Sequence, residues 1–458
     1  MQKLITKYGL AAHLALSAVA PLFLIPYVAT DTVAKVMIYL ACLTFAWFLG
    51  APSRLRGENS YMARKRVFKA TYTDPLVWIM LAIILFSSVR YFNAGIDLAY
   101  DAENYVWYMT EATASFLPAS HGEGAFLPLV TSFAALIMIV VSFHALGRGA
   151  RYGFLYSVGL FGGVSAFVHI YNYSIGAEKL LEYAKCAFDC EFFLGFGYML
   201  TSAFLVAALP IAFERRWNVA IVTIPLLLGA QIAAIAIFSP INVFVVGLAV
   251  LLLIVVYSVF WGRKSLSRSG ELKLSVVFFV SLALAFMLIY FTDWNNFVAG
   301  ATSLVQGFVD AEYRQVSDKL SSVAFKVWRD NIWLGTGVDT FAFDIRFNLN
   351  DADWLVIAQD QKVPLNAWWY LLAERGVIGA LLIVVPVFFM LYAYFSRMCA
   401  ALRKLPTPVV LLGPLVLIAA VALAFFNCSI FGAGMMPLLI AAVLVSAASF
   451  VKEKKDGE

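Results

Sequence analysis

Residues 218–261 read NVAIVTIPLLLGAQIAAIAIFSPINVFVVGLAVLLLIVVYSVFW, and they show what kind of protein this chain is. The segment contains two apolar runs, 218–238 and 243–261, on either side of the turn Ser239-Pro240-Ile241-Asn242. Neither run contains an acidic or basic residue, and each has the roughly 20 residues that a helix needs to cross a lipid bilayer. The segment therefore predicts two transmembrane helices joined by a short turn.

The same pattern recurs along the whole chain. Of its 458 residues, 62% are hydrophobic and 13% are charged, which is about half the charge of an average soluble domain. This composition excludes a soluble globular enzyme and a disordered protein. The apolar runs are continuous rather than alternating, which excludes a transmembrane β-barrel. We predict an all-α polytopic membrane protein with about twelve transmembrane helices, over residues 9–30, 33–51, 75–92, 125–147, 153–173, 193–213, 218–238, 243–261, 274–292, 376–396, 407–427 and 430–450.

The distribution of basic residues predicts the orientation of these helices. With twelve spans, the N-terminus, every second connecting segment and the C-terminus lie on the same side of the membrane. Together they carry 22 of the 33 Lys and Arg residues but only seven of the 28 acidic residues. These segments are the N-terminus and residues 51–74, 148–152, 214–217, 262–273, 397–406 and 451–458. Because Lys and Arg are concentrated in cytoplasmic loops, we expect both termini to be cytoplasmic. The small excess of positive charge reflects this orientation, and no nucleic-acid partner is expected.

One segment on the opposite, outer side is much longer than the others. Residues 293–375 separate nine predicted spans in residues 1–292 from three in residues 376–458. No internal repeat is visible in the sequence, and the unequal division argues against a secondary transporter. The outer side carries most of the chain outside the membrane, so we expect the chemistry of the protein there.

Two segments of the long loop carry recognisable patterns. Residues 319–341 read K-L-S-S-V-A-F-K-V-W-R-D-N-I-W-L-G-T-G-V-D-T-F, and their apolar positions predict a helix over 318–332 that ends before Gly335-Thr336-Gly337. A second helix is predicted from near Pro364, with its tryptophans at the membrane interface. It includes residues 366–379, which read N-A-W-W-Y-L-L-A-E-R-G-V-I-G. In order, spacing and placement, the two segments resemble the motifs of the O-antigen ligase and O-antigen polymerase family.

This resemblance implies an inverting membrane glycosyltransferase with a GT-C-like fold. Enzymes of the family take a glycan from undecaprenyl pyrophosphate at the periplasmic face of the bacterial inner membrane. Ligases pass the glycan to lipid A-core, and polymerases pass it to another lipid-linked repeat unit; the sequence leaves both activities open. The family needs no metal ion, cofactor or soluble nucleotide sugar. Other polysaccharide-assembly proteins are candidate partners.

A lipid pyrophosphate leaving group requires fixed positive charge near the membrane surface. Arginine is favoured for this role because it forms paired hydrogen bonds to phosphate. Arg314 and Lys319 occupy the loop position that is basic in the family, and we predict that they are catalytic. The alternative is that they form ion pairs with the neighbouring Glu312 and Asp318.

Four other residues are predicted to bind substrate: Arg90, Arg329, Arg346 and Asn366. Arg90 lies at the outer end of a span, where the alternative is that its side chain simply extends to the interface. Arg346 lies among acidic residues, so an internal ion pair is its alternative role. Asn366 could instead cap the interfacial helix.

The sequence departs from the family pattern at two positions. The family's His-Asn pair reads Leu365-Asn366 here, and the Ser-Arg-Gly turn between spans seven and eight reads Ser239-Pro240-Ile241-Asn242, without an arginine. His169 near the outer end of the fifth span is interpreted as a buried, hydrogen-bonded residue rather than as a replacement base. The acidic residues that could activate the acceptor hydroxyl in place of the missing histidine are Asp97, Asp101, Glu103, Asp339 and Glu374.

Two other classes of function remain as alternatives. The missing histidine and arginine would suit a non-catalytic family member that binds lipid-linked glycan as a subunit of an assembly complex. A lipid-glycan transporter is the third class, and the scarcity of ionisable residues deep in the spans argues against it. In the second outer loop, Cys186 and Cys190 either form a disulfide or remain free thiols.

Overall fold

A computed structural model describes residues 2–24, 30–52, 58–91, 98–101, 106–109, 122–175, 187–239, 241–265, 268–306, 311–337, 340–348, 366–401, 407–424 and 436–450. The helices in these ranges are α1 (Gln2–Leu24), α2 (Thr30–Gly50), α3 (Ser60–Tyr72), α4 (Pro75–Tyr91), α5 (Gly122–His144), α6 (Arg148–Ser174), α7 (Ala187–Glu214), α8 (Asn218–Phe238), α9 (Ile241–Ser265), α10 (Arg268–Gln306), α11 (Ala311–Asp330), α12 (Phe341–Asn348), α13 (Ala367–Ala401), α14 (Val409–Leu423) and α15 (Met436–Phe450). Two short strands, β1 (Leu98–Asp101) and β2 (Val106–Met109), pair as an antiparallel hairpin. The described part of the chain is therefore almost entirely helical.

The helices are those of a multi-pass membrane protein. Seven of them are long and apolar enough to cross a bilayer, and the bent pair formed by α3 and α4 would add an eighth. Three shorter apolar helices, Gly9–Leu24, Leu129–His144 and Val409–Leu423, also coincide with predicted spans. The described part of each of the twelve predicted apolar stretches thus coincides with a helix.

Helix α7 lies at the centre of the bundle. Its side chains are buried along nearly the whole of Phe193–Glu214, where it packs against α6, α8 and α9. Helix α10 is more apolar, yet few of its side chains over Glu271–Asn295 are buried, and several of them, such as Phe279 and Phe291, are exposed. Because these exposed side chains are hydrophobic, they are suited to contact with lipid. The apolar core therefore surrounds α7, and the outer helices present hydrophobic surfaces to the membrane.

Buried polar groups in the bundle bond to one another. His169 Nδ1 bonds the hydroxyl of Tyr198, whose oxygen lies 3.2 Å from Ser165 Oγ. Ser165 Oγ in turn donates to the backbone carbonyl of Leu22 at 3.3 Å. That carbonyl lies four residues before Pro26, which has no N–H to offer it. His169 is thus a buried, hydrogen-bonded core residue, as the sequence analysis interpreted it.

Three elements differ from the sequence prediction. The predicted inner loop over 51–74 contains the helix α3. The first outer loop contains the hairpin of β1 and β2. The ninth predicted span ends at a break in helical geometry at Asp293, with φ −157° and ψ 53°, and beyond this break α10 continues as a helix to Gln306, within the segment that was predicted as the long outer loop. Asp293 accepts a hydrogen bond of 2.6 Å from the hydroxyl of Tyr173 on α6.

Candidate functional site

A small apolar core outside the main bundle joins the two segments that carry the family-like motifs. The buried positions of α11 follow helical spacing, so one face of this helix is apolar. That face packs against α12 and against the beginning of α13, and Trp369 and Tyr370 cover its edge. The core residues are Leu320, Val323, Ala324, Val327, Phe341, Ile345 and Ala373. We refer to the described residues within 318–348 and 366–378 as the loop module.

The loop module is joined to α13 through two glycines with left-handed backbone geometry. Gly335 has φ +67° and Gly376 has φ +62°. A Cβ atom on Gly376 would lie 2.4 Å from the carbonyl carbon of Trp333, and one on Gly335 would lie 2.5 Å from that of Glu374. Only glycine allows two backbones to approach this closely in this conformation. We call this contact the glycine junction.

Four backbone hydrogen bonds hold the glycine junction together. Two run from the turn after α11 to the carbonyls before Gly376, and two run from the N–H groups after Gly376 to the carbonyls before Gly335. They are Thr336 N to Ala373 O (2.9 Å), Gly337 N to Glu374 O (2.9 Å), Val377 N to Ile332 O (2.9 Å) and Ile378 N to Trp333 O (3.1 Å). The break in α13 at Gly376 is thus compensated by bonds from the turn. The junction fixes the loop module at the end of a membrane helix.

A polar cluster lies directly behind the junction. The hydroxyl of Thr336 donates to Asp344 Oδ2 at 2.9 Å, and Thr340 Oγ1 lies 2.7 Å from the same hydroxyl. Burial raises the pKa of the Asp344 carboxyl to about 6, while the hydrogen bond from Thr336 acts in the opposite direction. Glu374 is buried, and its Oε1 lies 3.5 Å from the N–H of Phe341 at the start of α12. This position favours a structural role for Glu374, because a carboxylate is stabilised at a helix N-terminus.

Two of the predicted cations, Lys319 and Arg329, have described side chains, and they lie far apart on α11. Lys319 is half-buried near the middle of α11. Arg329 lies ten residues later, about 15 Å along the helix axis. Its side chain is 63% exposed, and its Nε is 3.5 Å from Asp330 Oδ1. Arg314 belongs to α11 and Arg346 to α12, but their side chains lie outside the described part of the structure.

Arg375 is a further cation at the junction, outside the set of residues predicted from the sequence. It immediately precedes Gly376 and is half-buried. One turn later, the backbone of Gly379 lies against Phe86 of α4, since a Cβ there would be 3.0 Å from the Phe86 ring. Arg90 follows Phe86 by one turn on α4, so the two helices bring residues 90 and 375 to the same end of this helix pair. The signal that could have identified Arg375 is its position in the E-R-G motif at the end of an apolar run.

Asn366 caps the first turn of α13. Its Oδ1 accepts hydrogen bonds from the N–H of Trp368 at 2.9 Å and of Trp369 at 3.4 Å. The Trp369 ring packs edge-on against Phe325 of α11, with 5.3 Å between the ring centres. The cap therefore positions the aromatic side chains that cover the module core. A role for Asn366 in binding substrate stays a prediction.

An apolar groove lies below the junction, between helices α4, α5, α13, α14 and α15. All sixteen side chains that line it are apolar, and they include Met80, Phe133, Leu382 and Pro386. Leu382 follows Gly376 by six residues, so the groove begins about 9 Å along α13 from the junction. A groove of this composition is suited to a hydrocarbon chain.

The side chains of Arg90 and of the other predicted residues lie outside the described part of the structure. Asp97, Glu103, Asp339 and Cys186 lie outside the described residues, and the side chains of Asp101 and Cys190 are not described. Among the residues that are described, no group of three His, Cys, Asp or Glu side chains could hold a metal ion.

Comparison with models of known protein families finds none that matches this chain, and comparison with curated proteins also finds no match.

Proposed function

We propose that this protein transfers a glycan from an undecaprenyl-pyrophosphate donor to a lipid or glycan acceptor. The observation that carries the proposal is the position of the loop module relative to the apolar groove. The glycine junction holds the module at the end of α13, and the groove begins about 9 Å further along the same helix. A lipid pyrophosphate needs these two environments side by side: an apolar groove for its chain and basic residues for its phosphates.

The proposed topology has twelve spans, both termini in the cytoplasm and the loop module at the periplasmic face of the bacterial inner membrane. Contacts between segments of the predicted inner side support it. Asp74 Oδ2 lies 2.8 Å from His144 Nε2. The guanidinium of Arg215 lies 4.6 Å from the centre of the Tyr152 ring. Each contact joins two chain segments that the charge pattern assigns to the cytoplasmic side of the membrane.

In the proposed reaction, the acceptor hydroxyl oxygen attacks the anomeric carbon of the donor sugar. The bond from that carbon to the pyrophosphate oxygen breaks, and its electron pair leaves with undecaprenyl pyrophosphate. Lys319 and Arg314 would stabilise the charge that develops on this leaving group, and Arg375 and Arg90 would contribute from the junction side. The acceptor proton passes to a carboxylate of the loops, since His169 is buried among the helices of the bundle.

The test is glycan transfer in a deletion strain that is complemented with variants of the protein. Arg314→Ala and Lys319→Ala should each reduce finished polysaccharide by about a hundredfold, and lipid-linked intermediates should accumulate. Lys326→Ala is the control, because Lys326 is exposed on the same helix and lies outside the proposed site. If all three variants transfer glycan equally well at equal protein levels, the proposed role of the loop cations is wrong.

A second candidate function is that of a non-catalytic subunit of a polysaccharide-assembly complex. The presence of leucine at position 365 and the absence of arginine in the turn over 239–242 favour it. Purified protein would then bind lipid-linked glycan without converting it, whereas an enzyme would release undecaprenyl pyrophosphate. A lipid-glycan transporter would instead move the donor across vesicles without changing its covalent structure.

A further inference from the structure

Helix α3 lies at an angle to the bundle, at the end opposite the loop module. It makes an angle of 62° with α4, from which it is separated by two residues. Its buried residues Ala63, Val67 and Thr71 are four residues apart and form one face. Asn59 caps the helix by accepting a hydrogen bond of 2.8 Å from the N–H of Met62. The helix is therefore packed on the bundle along one face and exposed on the opposite side.

An aromatic stripe runs along α3 beside its buried face, and the ring of Phe68 within it also contacts Phe45 and Phe48 of α2. Tyr61, Phe68 and Tyr72 recur at helical spacing and are exposed by 70%, 43% and 57%. Trp78, at the start of α4, is 59% exposed, and its indole N–H donates to the Tyr72 carbonyl at 2.7 Å. Tyrosine and tryptophan are enriched where a membrane meets water. The stripe therefore gives α3 the surface of a helix that lies in the membrane interface.

Two lysines lie beside this stripe. Lys65 and Lys69 are one turn apart and exposed, and helical periodicity places them next to Tyr72, on the side away from the bundle. Neither forms a salt bridge with any described residue, whereas the neighbouring Arg66 is paired with Glu58 by bonds of 3.0 and 3.1 Å. Like charges at this spacing destabilise a helix unless an anion lies between them.

We propose that α3 binds the headgroups of anionic phospholipids through Lys65 and Lys69. The lysines supply the charge complementarity, and the aromatic stripe beside them would lie among the upper parts of the lipid chains. A lipid satisfies both features at once, whereas free phosphate would satisfy the lysines alone. The proposal concerns the end of the bundle opposite the loop module and does not depend on the proposed transfer reaction.

The experiment is a lipid titration of the purified full-length protein in detergent, followed by native mass spectrometry. Phosphatidylglycerol and phosphatidylcholine with the same acyl chains are the probes. Wild type should bind phosphatidylglycerol more tightly, and Lys65→Gln/Lys69→Gln should lose about tenfold in affinity for it while phosphatidylcholine binding stays the same. Inorganic phosphate at the same concentration should not compete.

Two further variants make the result specific to this helix. Lys65→Arg/Lys69→Arg keeps the charge and should keep the preference for phosphatidylglycerol. Lys326→Gln removes an exposed lysine at the opposite end of the bundle and should have no effect. The proposal is overturned if the Gln double variant binds phosphatidylglycerol like wild type, if Lys326→Gln weakens binding equally, or if inorganic phosphate displaces the lipid.

Discussion

Gly376 determines how the outer loop meets the membrane helix that follows it. Its φ of 62° and ψ of −172° belong to a region of backbone geometry that is accessible almost only to glycine. The same residue lies against the turn after α11, where a side chain has no room. One residue type thus satisfies a conformational requirement and a packing requirement at the same position.

We expect Gly376→Ala to open the glycine junction. The added methyl group would meet the Trp333 carbonyl carbon at 2.4 Å in a backbone geometry that alanine disfavours, so the junction should lose about 2 kcal/mol or more. Hydrogen exchange at the amides of Val377 and Ile378 should become about thirtyfold faster. Gly50→Ala is the matched control, since a Cβ there would meet nothing within 4 Å. Equal protection in the two variants would contradict this account.

Asp344 should make the stability of the loop module depend on pH. Because burial raises the pKa of this carboxyl to about 6, the folded module retains a proton between about pH 4 and pH 6 that the unfolded chain has already lost. Stability should therefore fall as the pH rises through this window and stay constant above it. Asp344→Asn keeps an oxygen for the Thr336 hydroxyl but removes the titration, so it should be more stable than wild type at pH 7.

Hydrogen exchange of α12 at pH 5 and pH 7, corrected for intrinsic rates, measures this effect. Wild type should exchange roughly tenfold faster at pH 7, and Asp344→Asn should show no such difference. Asp330→Asn is the control, because the side chain of Asp330 is 57% exposed. A pH dependence that persists in Asp344→Asn would assign the titration to another group.

At the scale of elements, local sequence patterns predicted the apolar helices and part of the loop module. The predicted helix over 318–332 matches α11, which ends at Asp330, because its apolar positions are large and regularly spaced. The start of α11 at Ala311 was not predicted. Helix α3 was missed because the residues of its buried face are small or polar and its surface is basic, a composition that is also typical of an inner loop.

Some features of the candidate site could not be predicted from the sequence, because they depend on contacts between segments that are distant in the chain. The two motifs contain Gly335 and Gly376, one on each side of the glycine junction. The sequence alone cannot show that these two glycines lie against each other. The E-R-G motif marks Arg375 in the sequence, but its position beside α4 follows only from the packing of the two helices. Asp344 likewise depends on burial by the module, which follows from packing rather than from its neighbours in the chain.

At the scale of the whole molecule, the bundle has two chemically different ends. One end carries the loop module with its glycine junction, and the other carries α3 and the contact between Asp74 and His144. The apolar helices around α7 connect the two ends. The charge pattern of the sequence predicts that the first end is periplasmic and the second cytoplasmic.

This orientation predicts that two exposed lysines lie on opposite sides of the membrane. Lys326 belongs to α11 of the loop module, and Lys273 lies near the start of α10, just before the ninth predicted span. In a variant whose five native cysteines are replaced, Lys326→Cys should react with a membrane-impermeant thiol reagent in cells with a permeabilised outer membrane. Lys273→Cys should react only after the inner membrane is disrupted. If both cysteines react before disruption, the number of spans between them must be even rather than odd, and the loop module and the basic segments would lie on the same side.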